Sequence, residues 1–139
     1  MPRSLSTKLI IVIAAAVIVL VASAAATWKY DDDRRRMRLH AEAITGGNSS
    51  RGEAMFIQYG CGSCHSVKDV RTATGMVGPP LDGIALRMII GGRLSNTPAN
   101  MEHWIRDPQH LSPGTAMPNL GVSEGDARDI TAFLYTRAH

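Results

Sequence analysis

Two thiols and an imidazole stand together at Cys61-Gly62-Ser63-Cys64-His65. On one turn of chain, cysteines at this spacing reach two vinyl groups on one side of a porphyrin, and the next residue brings its imidazole under the iron. Cys-x-x-Cys-His is accordingly the attachment signature of covalent haem. Gly62 and Ser63 are small and let the backbone lie near a ring edge. Two other chemistries use a Cys-x-x-Cys pair. A redox dithiol sits after a strand in a βαβ pattern, and no such pattern is visible. A zinc site needs further ligands, yet the chain has only two cysteines. His103 and His110 are also too far apart, seven positions, to serve as a ligand pair.

A haem iron in an electron carrier takes a second axial ligand. The sulfur candidates are Met37, Met55, Met76, Met88, Met101 and Met117, and the imidazole candidates are His40, His103, His110 and His139. Met55, Met88 and Met101 fall at apolar positions of helix-like segments, where a methionine fills a core. Met76 follows His65 closely, on a loop that would cover the same face. Met37, His40 and His139 belong to the linker or the terminus. Met117 lies in Pro113-Gly114-Thr115-Ala116-Met117-Pro118, 52 residues after His65. A proline-bracketed loop of that kind holds a thioether at a fixed height over a ring. Met117 is the favoured ligand and His110 the next; thioether ligation opposite an imidazole raises the iron's potential.

These residues need elements to carry them. The 139 residues are 45% hydrophobic and 19% charged, which excludes wholesale disorder and a large multidomain enzyme. The net charge of +3 carries no nucleic-acid signature. Residues 9–26 are uncharged and apolar apart from Ser23, and Arg3 and Lys8 precede them. This is a secretory or signal-anchor segment. Cleavage after Ala22-Ser23-Ala24 or Ala24-Ala25-Ala26 is one reading. The favoured one is an uncleaved span, with Trp28 and Tyr30 at the membrane interface. Basic residues are more numerous after the run than before it, so export of the C-terminal domain rests on that domain's chemistry. Asp31-Asp32-Asp33 before Arg34-Arg35-Arg36 allows acid-first pairs that would extend the helix to about Ile44. Thr45-Gly46-Gly47-Asn48-Ser49 then reads as a flexible hinge. The organisation expected is an anchor over 1–30, a juxtamembrane linker over 31–48 and a haem domain over 49–139.

Beyond residue 48 the chain is formally neutral, with eight basic and eight acidic side chains. Ser50-x-x-Glu53 is a capping box that starts a helix near Arg51 and leads it into the Cys61 turn. Thr97 caps a helix with Pro98 at its first position, ending at Asp107 before Pro108. Ser123-x-x-Asp126 opens a last helix to about Arg137, with Ile130, Phe133 and Leu134 as its apolar stripe. A short helix is expected over residues 84–90, and no strand signal stands out. Five aromatics in this stretch make a weak core alone. A buried porphyrin would supply the missing apolar surface.

With these features the chain resembles class I monohaem cytochromes c, the mitochondrial-type family, in a membrane-anchored bacterial form. The resemblance covers residues 51–139. Gly52 and Phe56 match the first helix, and Ile130 and Phe133 the last helix that crosses it. Cys61, Cys64 and His65 match the haem attachment site. Gly78-Pro79-Pro80-Leu81-Asp82-Gly83 resembles the family's Gly-Pro-x-Leu-x-Gly loop. That match makes the Pro79 carbonyl the acceptor of the His65 Nδ1 proton. Arg87 falls where the family has an arginine near a haem propionate, and Trp104 where it often has a tyrosine over the haem. Pro113-Gly114-Thr115-Ala116-Met117 resembles Pro-Gly-Thr-x-Met, with Thr115 a propionate or loop hydrogen-bond partner. The family's ring of lysines is nearly missing: Lys68 is the only lysine in the domain, and Ala116 stands where a lysine is usual.

The resemblance implies an all-α cytochrome c fold of three to four helices around one covalent haem c. It implies an electron carrier, not an enzyme, cycling between Fe(II) and Fe(III). Cysteine-edge residues near Gly62 and Ser63, with the Ala116 loop, would flank the exposed haem edge. Redox partners by analogy are a quinol-oxidising complex, a dehydrogenase or a terminal oxidase. The setting expected is a single pass through the bacterial inner membrane with the haem domain in the periplasm, or a periplasmic protein if the segment is cleaved. A fixed haem-bearing subunit of an oxidase or dehydrogenase complex is the second reading. The Ala14-Ala15-Ala16 and 22–26 small-residue clusters would permit its helix packing. An enzyme or gas sensor with an open iron site is the third.

Overall fold

Helix α1 (Arg3–Thr45) opens the chain. The structure is a computed structural model that describes residues 3–137, and it divides into two units, Met1–Arg36 and Met37–His139.

In the first unit the apolar run is helical, and every side chain from Ser6 to Asp31 is exposed. A helix satisfies its own backbone groups, as a lipid environment demands. The hydroxyls in the run follow suit: Ser23 Oγ donates to the Val19 carbonyl at 2.8 Å and Thr27 Oγ1 to the Ala24 carbonyl at 2.9 Å. Among the described residues this is the one helix long and apolar enough to cross a membrane. Of the acid-first pairs, Asp32 and Arg36 meet at 2.7 Å.

The second unit begins with the last turns of α1. Ala41 and Thr45 are buried, and Glu42 accepts bonds from the Ser49 backbone N–H and hydroxyl at 2.9 and 2.7 Å. The Asn48 N–H donates to Asp129 at 2.8 Å. A side chain at Gly47 would run into the Arg128 carbonyl. The segment expected to be a flexible hinge is therefore a tied corner, and one of its glycines serves close approach.

Helix α2 (Ser49–Gln58) is capped by Asn48, whose side chain accepts from the Arg51 N–H, two residues ahead of the expected Ser50 cap. The chain then makes a 3-10 turn at Cys61–Ser63 and another at Ile84–Leu86. The expected helix over 84–90 stops there. Ile89–Ile90 (β1) pairs antiparallel with Leu94–Ser95 (β2). Gly91 and Gly92, both at positive φ, turn the hairpin. Two-residue strands carry no alternation for a sequence to display. Helix α3 (Pro98–Arg106) has the expected Thr97 cap and Pro98 start. Pro108 does not end the helical stretch: Asp107 caps a further short helix, α4 (Pro108–Leu111). Helix α5 (Glu124–Tyr135) has Ser123 as its cap, with the side chain accepting from the Asp126 N–H.

The core forms where α2 crosses α5. Phe56 and Phe133 pack with ring centroids 5.5 Å apart, and both are almost fully buried. A Cβ at position 52 would fall on the Asp129 carbonyl, so Gly52 sets how closely the helices approach. Arg51 closes the crossing from outside, reaching Asp126 at 2.8 Å and Asp129 at 2.5 Å. Tyr59 donates to Asp126 at 2.9 Å. Helix α3 joins α5 through Arg128, which spans Glu102 at 3.8 Å and Glu124 at 2.9 Å. The unit is all-α apart from the small hairpin.

Candidate functional site

A cavity of ≈ 430 Å³ opens beside this crossing. That size is within the roughly 300–1,000 Å³ of ligand pockets. Phe56, Leu81, Ile84, Met101, Ile105 and Ile130 are buried core residues that also face it. Cys61, Cys64, His65, Pro79, Arg87, Trp104, Thr115 and Met117 all line the same cavity. Residues 56 positions apart in sequence thus share one apolar chamber.

The thiols arrive on a short tight turn. Gly60, at φ 72, breaks α2 where an ordinary residue would be strained. The Cys64 and His65 N–H groups both donate to the Cys61 carbonyl, at 3.2 and 3.0 Å. Both cysteines are free and half-buried. Burial pushes the Cys61 thiol up to about 11, so it stands as a neutral thiol in apolar surroundings. Gly62 is buried, and a Cβ there would press on Ala73 and the Thr72 carbonyl. Its smallness admits the 72–75 loop, and only Ser63 of the two spacer residues is exposed.

The following loop runs back along the motif. The Gly75 N–H donates to the Gly62 carbonyl at 3.0 Å, that of Gly78 to Cys64 at 2.8 Å, and that of Leu81 to Ser66 at 2.9 Å. This strap brings the Pro79 carbonyl to 2.8 Å from His65 Nδ1. A carbonyl only accepts, so Nδ1 carries the proton and Nε2 keeps its lone pair. Gly78 lies against the imidazole, where a Cβ would collide with the ring. Arg87 Nη2 donates to the Pro80 carbonyl and, at 3.4 Å, to that of Asp82, which anchors the strap at its far end. Trp104 is half-buried, and Gly91 leaves room for its ring.

The loop after α4 carries Thr115 and Met117, both half-buried. Of the described methionines and histidines considered as second ligands, only Met101 and Met117 line the cavity. Met101 belongs to the core, at 3% exposure. Met76 and Met88 are 92% and 86% exposed. His110 is exposed on α4 and does not line the cavity, and His40 and His103 are exposed likewise. His139 lies outside the described residues.

Sequence reasoning missed the polar frame of this loop. Gln109 reaches the Thr115 and Met117 carbonyls, and Asn119 bridges Asp107 and the Gln109 N–H. The available signal was Asp107-Pro108, a cap and first-turn pair that starts a helical turn.

The donor set fits haem c. Two free thiols and one imidazole with a fixed lone-pair nitrogen face an apolar chamber. Among the described residues no three His, Cys, Asp or Glu side chains converge as a bare-ion cage requires.

The chain is similar in sequence to known proteins. Cytochrome c oxidase subunit 2 of Alkalihalophilus pseudofirmus is 35% identical over 99 residues, which is 70% of this chain and 28% of that protein. Cytochrome c oxidase subunit 2 of Bacillus subtilis is 31% identical over 85 residues, covering 57% of this chain and 24% of its own. The namesake from Bacillus sp. strain PS3 is 34% identical over 95 residues, covering 66% and 26%. The chain therefore spans about a quarter of the length of these relatives. No solved structure matches it. The sequence model of the Cytochrome c family matches residues 49–138, the stretch that builds the crossing helices, the thiol turn and the chamber, and the chain belongs to that family.

Proposed function

We propose that this chain is a membrane-tethered c-type cytochrome that carries single electrons to a terminal oxidase in a bacterial respiratory membrane. The observation that carries the reading is the shared chamber: both thiols, the oriented His65 imidazole and the Met117 loop line one apolar cavity. Cys61 and Cys64 would hold one haem c through thioether bonds, and His65 Nε2 and the Met117 sulfur would bind its iron. Bound there, the haem supplies a one-electron Fe(III)/Fe(II) couple.

The chain's own residues do the rest. Pro79 holds the imidazole in one tautomer and one plane. The apolar wall from Leu81, Ile84, Ile105 and Ile130 excludes water from the iron's surroundings. Arg87, Trp104 and Thr115 contribute the polar donors on that wall, for which the propionates are the natural partners. Because Pro79 holds His65 and Gln109 holds the Met117 backbone, these residues would move little when the charge of a bound group changes. Residues 1–30 tether the carrier, 31–48 link it, and 49–139 hold the haem, with the haem domain facing the periplasm. Tethering raises the effective concentration near partners in the same membrane. A quinol-oxidising complex or a dehydrogenase is the electron source that fits this place.

The names of the relatives favour a second reading, a fixed haem-bearing subunit of an oxidase complex. Purification from membranes in mild detergent separates the two: the carrier leaves alone, the subunit leaves with its complex. A reduced optical spectrum, an intact mass and haem staining after denaturation test the site itself. One haem per chain, retained on denaturation, is expected. Cys64→Ala should leave one thioether and weaken covalent retention; full staining of that variant would count against the two-thioether scheme.

A further inference from the structure

We propose that Gln109 is the positioning residue that holds the Met117 loop in its ligating form, an inference that rests on the axial role proposed for Met117. The Gln109 amide is half-buried between α4 and the loop. Its Nε2 donates to the Thr115 carbonyl at 2.7 Å and to the Met117 carbonyl at 2.8 Å. Its Oε1 accepts from the Gly114 N–H at 3.3 Å. The three partners fix which end of the amide is which, because two are acceptors and one is a donor.

One side chain therefore occupies backbone groups on both sides of Ala116. Holding the Thr115 and Met117 carbonyls fixes the peptide planes that flank the ligand-bearing stretch, and with them the direction in which the Met117 side chain leaves the backbone. The loop's neck is closed separately. Asn119 Nδ2 donates to Asp107 at 2.9 Å, and Asn119 Oδ1 accepts from the Gln109 N–H at 3.3 Å. Asp107 in turn caps the turn that carries Gln109. Gly114, at φ 82, makes this loop bend without help from a side chain of its own. Without the Gln109 amide the loop keeps its neck and loses its internal brace. The sulfur would then be free to leave the iron while the haem stays bound through Cys61 and Cys64.

The test uses the full chain with haem attached, in four forms: parent, Gln109→Met, Gln109→Asn and Met117→Ala. Gln109→Met keeps the length and removes the hydrogen bonds. Gln109→Asn keeps the amide and falls one carbon short of the carbonyls. Three readouts apply: the thioether–iron charge-transfer band of the ferric protein, the rate of carbon monoxide binding to the ferrous protein, and the reduction potential. Both Gln109 variants should retain covalent haem and helix content. They should weaken the band, lower the potential toward that of Met117→Ala, and speed carbon monoxide binding about tenfold or more, as loss of two or three hydrogen bonds to an equilibrium between closed and open loop requires. A purely structural role would lower thermal stability and leave band and potential in place. If Met117→Ala loses the band while Gln109→Met keeps it, with carbon monoxide binding within about twofold of the parent, the positioning role is overturned and the axial role of Met117 stands. If Met117→Ala keeps the band, the axial assignment itself fails. Should Gln109→Met not fold, Gln109→Asn decides by the same criteria.

Discussion

A single methyl group at position 78 tests the setting of the imidazole. The His65 ring lies against Gly78, with its Nδ1 proton on Pro79. In Gly78→Ala the new Cβ pushes the ring off its plane and breaks that hydrogen bond. Haem should remain covalently bound through the cysteines, since neither thiol is touched. The iron's spectrum should nonetheless move from low-spin toward high-spin, and exogenous imidazole should bind more readily. An unaltered low-spin spectrum would dismiss the tight seat of His65. Cys61, Cys64 and His65 are legible in sequence because all three stand in one short motif, and the structure brings them to one chamber. Pro79 is legible only through its resemblance to a known loop, since nothing local says which carbonyl will meet a ring fourteen residues away. Gln109 was invisible, because its partners are backbone groups, which every sequence contains. Gly62 was read for its small size, and its missing side chain makes room for Ala73.

At the scale of elements, the crossing of α2 and α5 positions the thiol turn, which hangs from the end of α2. Its tolerance for change is small. Gly52→Val places a branched Cβ on the Asp129 carbonyl, and the helices must separate to admit it. Truncating Phe56 to alanine at the same contact should cost about 3–5 kcal/mol, read as a lowered midpoint in denaturant. Acid should loosen the crossing too. The Asp126 carboxyl is held below its ordinary range, first by the Ser123 hydroxyl, then by the Tyr59 hydroxyl and Arg51. A group depressed in the folded state stabilises fully above its unfolded pKa and loses that contribution as pH falls through the folded value. Asp126→Asn should thus melt lower than the parent at neutral pH, and the two curves should converge in acid. A constant gap between them at every pH would refute the charge-based account. Caps were the legible part of these elements. Thr97 and Ser123 stand where their oxygens meet the expected N–H groups. The true cap of α2 was obscured because Asn48 sits within a run of equally good capping residues. Helix α4 was obscured because a proline both ends one helix and begins another.

The second unit as a whole is arranged as a shell. Leu81, Ile84, Ile90, Met101, Ile105, Val122, Ile130 and Leu134 are core residues, and each also faces the chamber. Most of the interior is therefore a wall, and the packing of the wall depends on what lies within it. In the haem-free polypeptide the side chains lining the ≈ 430 Å³ chamber lack packing partners on that side, and ordinary domains hold only about 5–15 kcal/mol in total. Collapse of the wall would recover part of those contacts, at the expense of a unique arrangement. The polypeptide made without haem should accordingly keep helical signal in the far ultraviolet, lose its near-ultraviolet signal, and show no sharp calorimetric transition. The α2–α5 crossing does not fill the chamber, so its ion pairs and ring contacts should not rescue it. Expression of Cys61→Ala/Cys64→Ala, purified free of haem and compared with the parent by circular dichroism and calorimetry, makes the measurement. A cooperative unfolding peak of parental size in the haem-free chain would mean that the wall is self-supporting and that the cofactor fills a chamber the polypeptide already holds open.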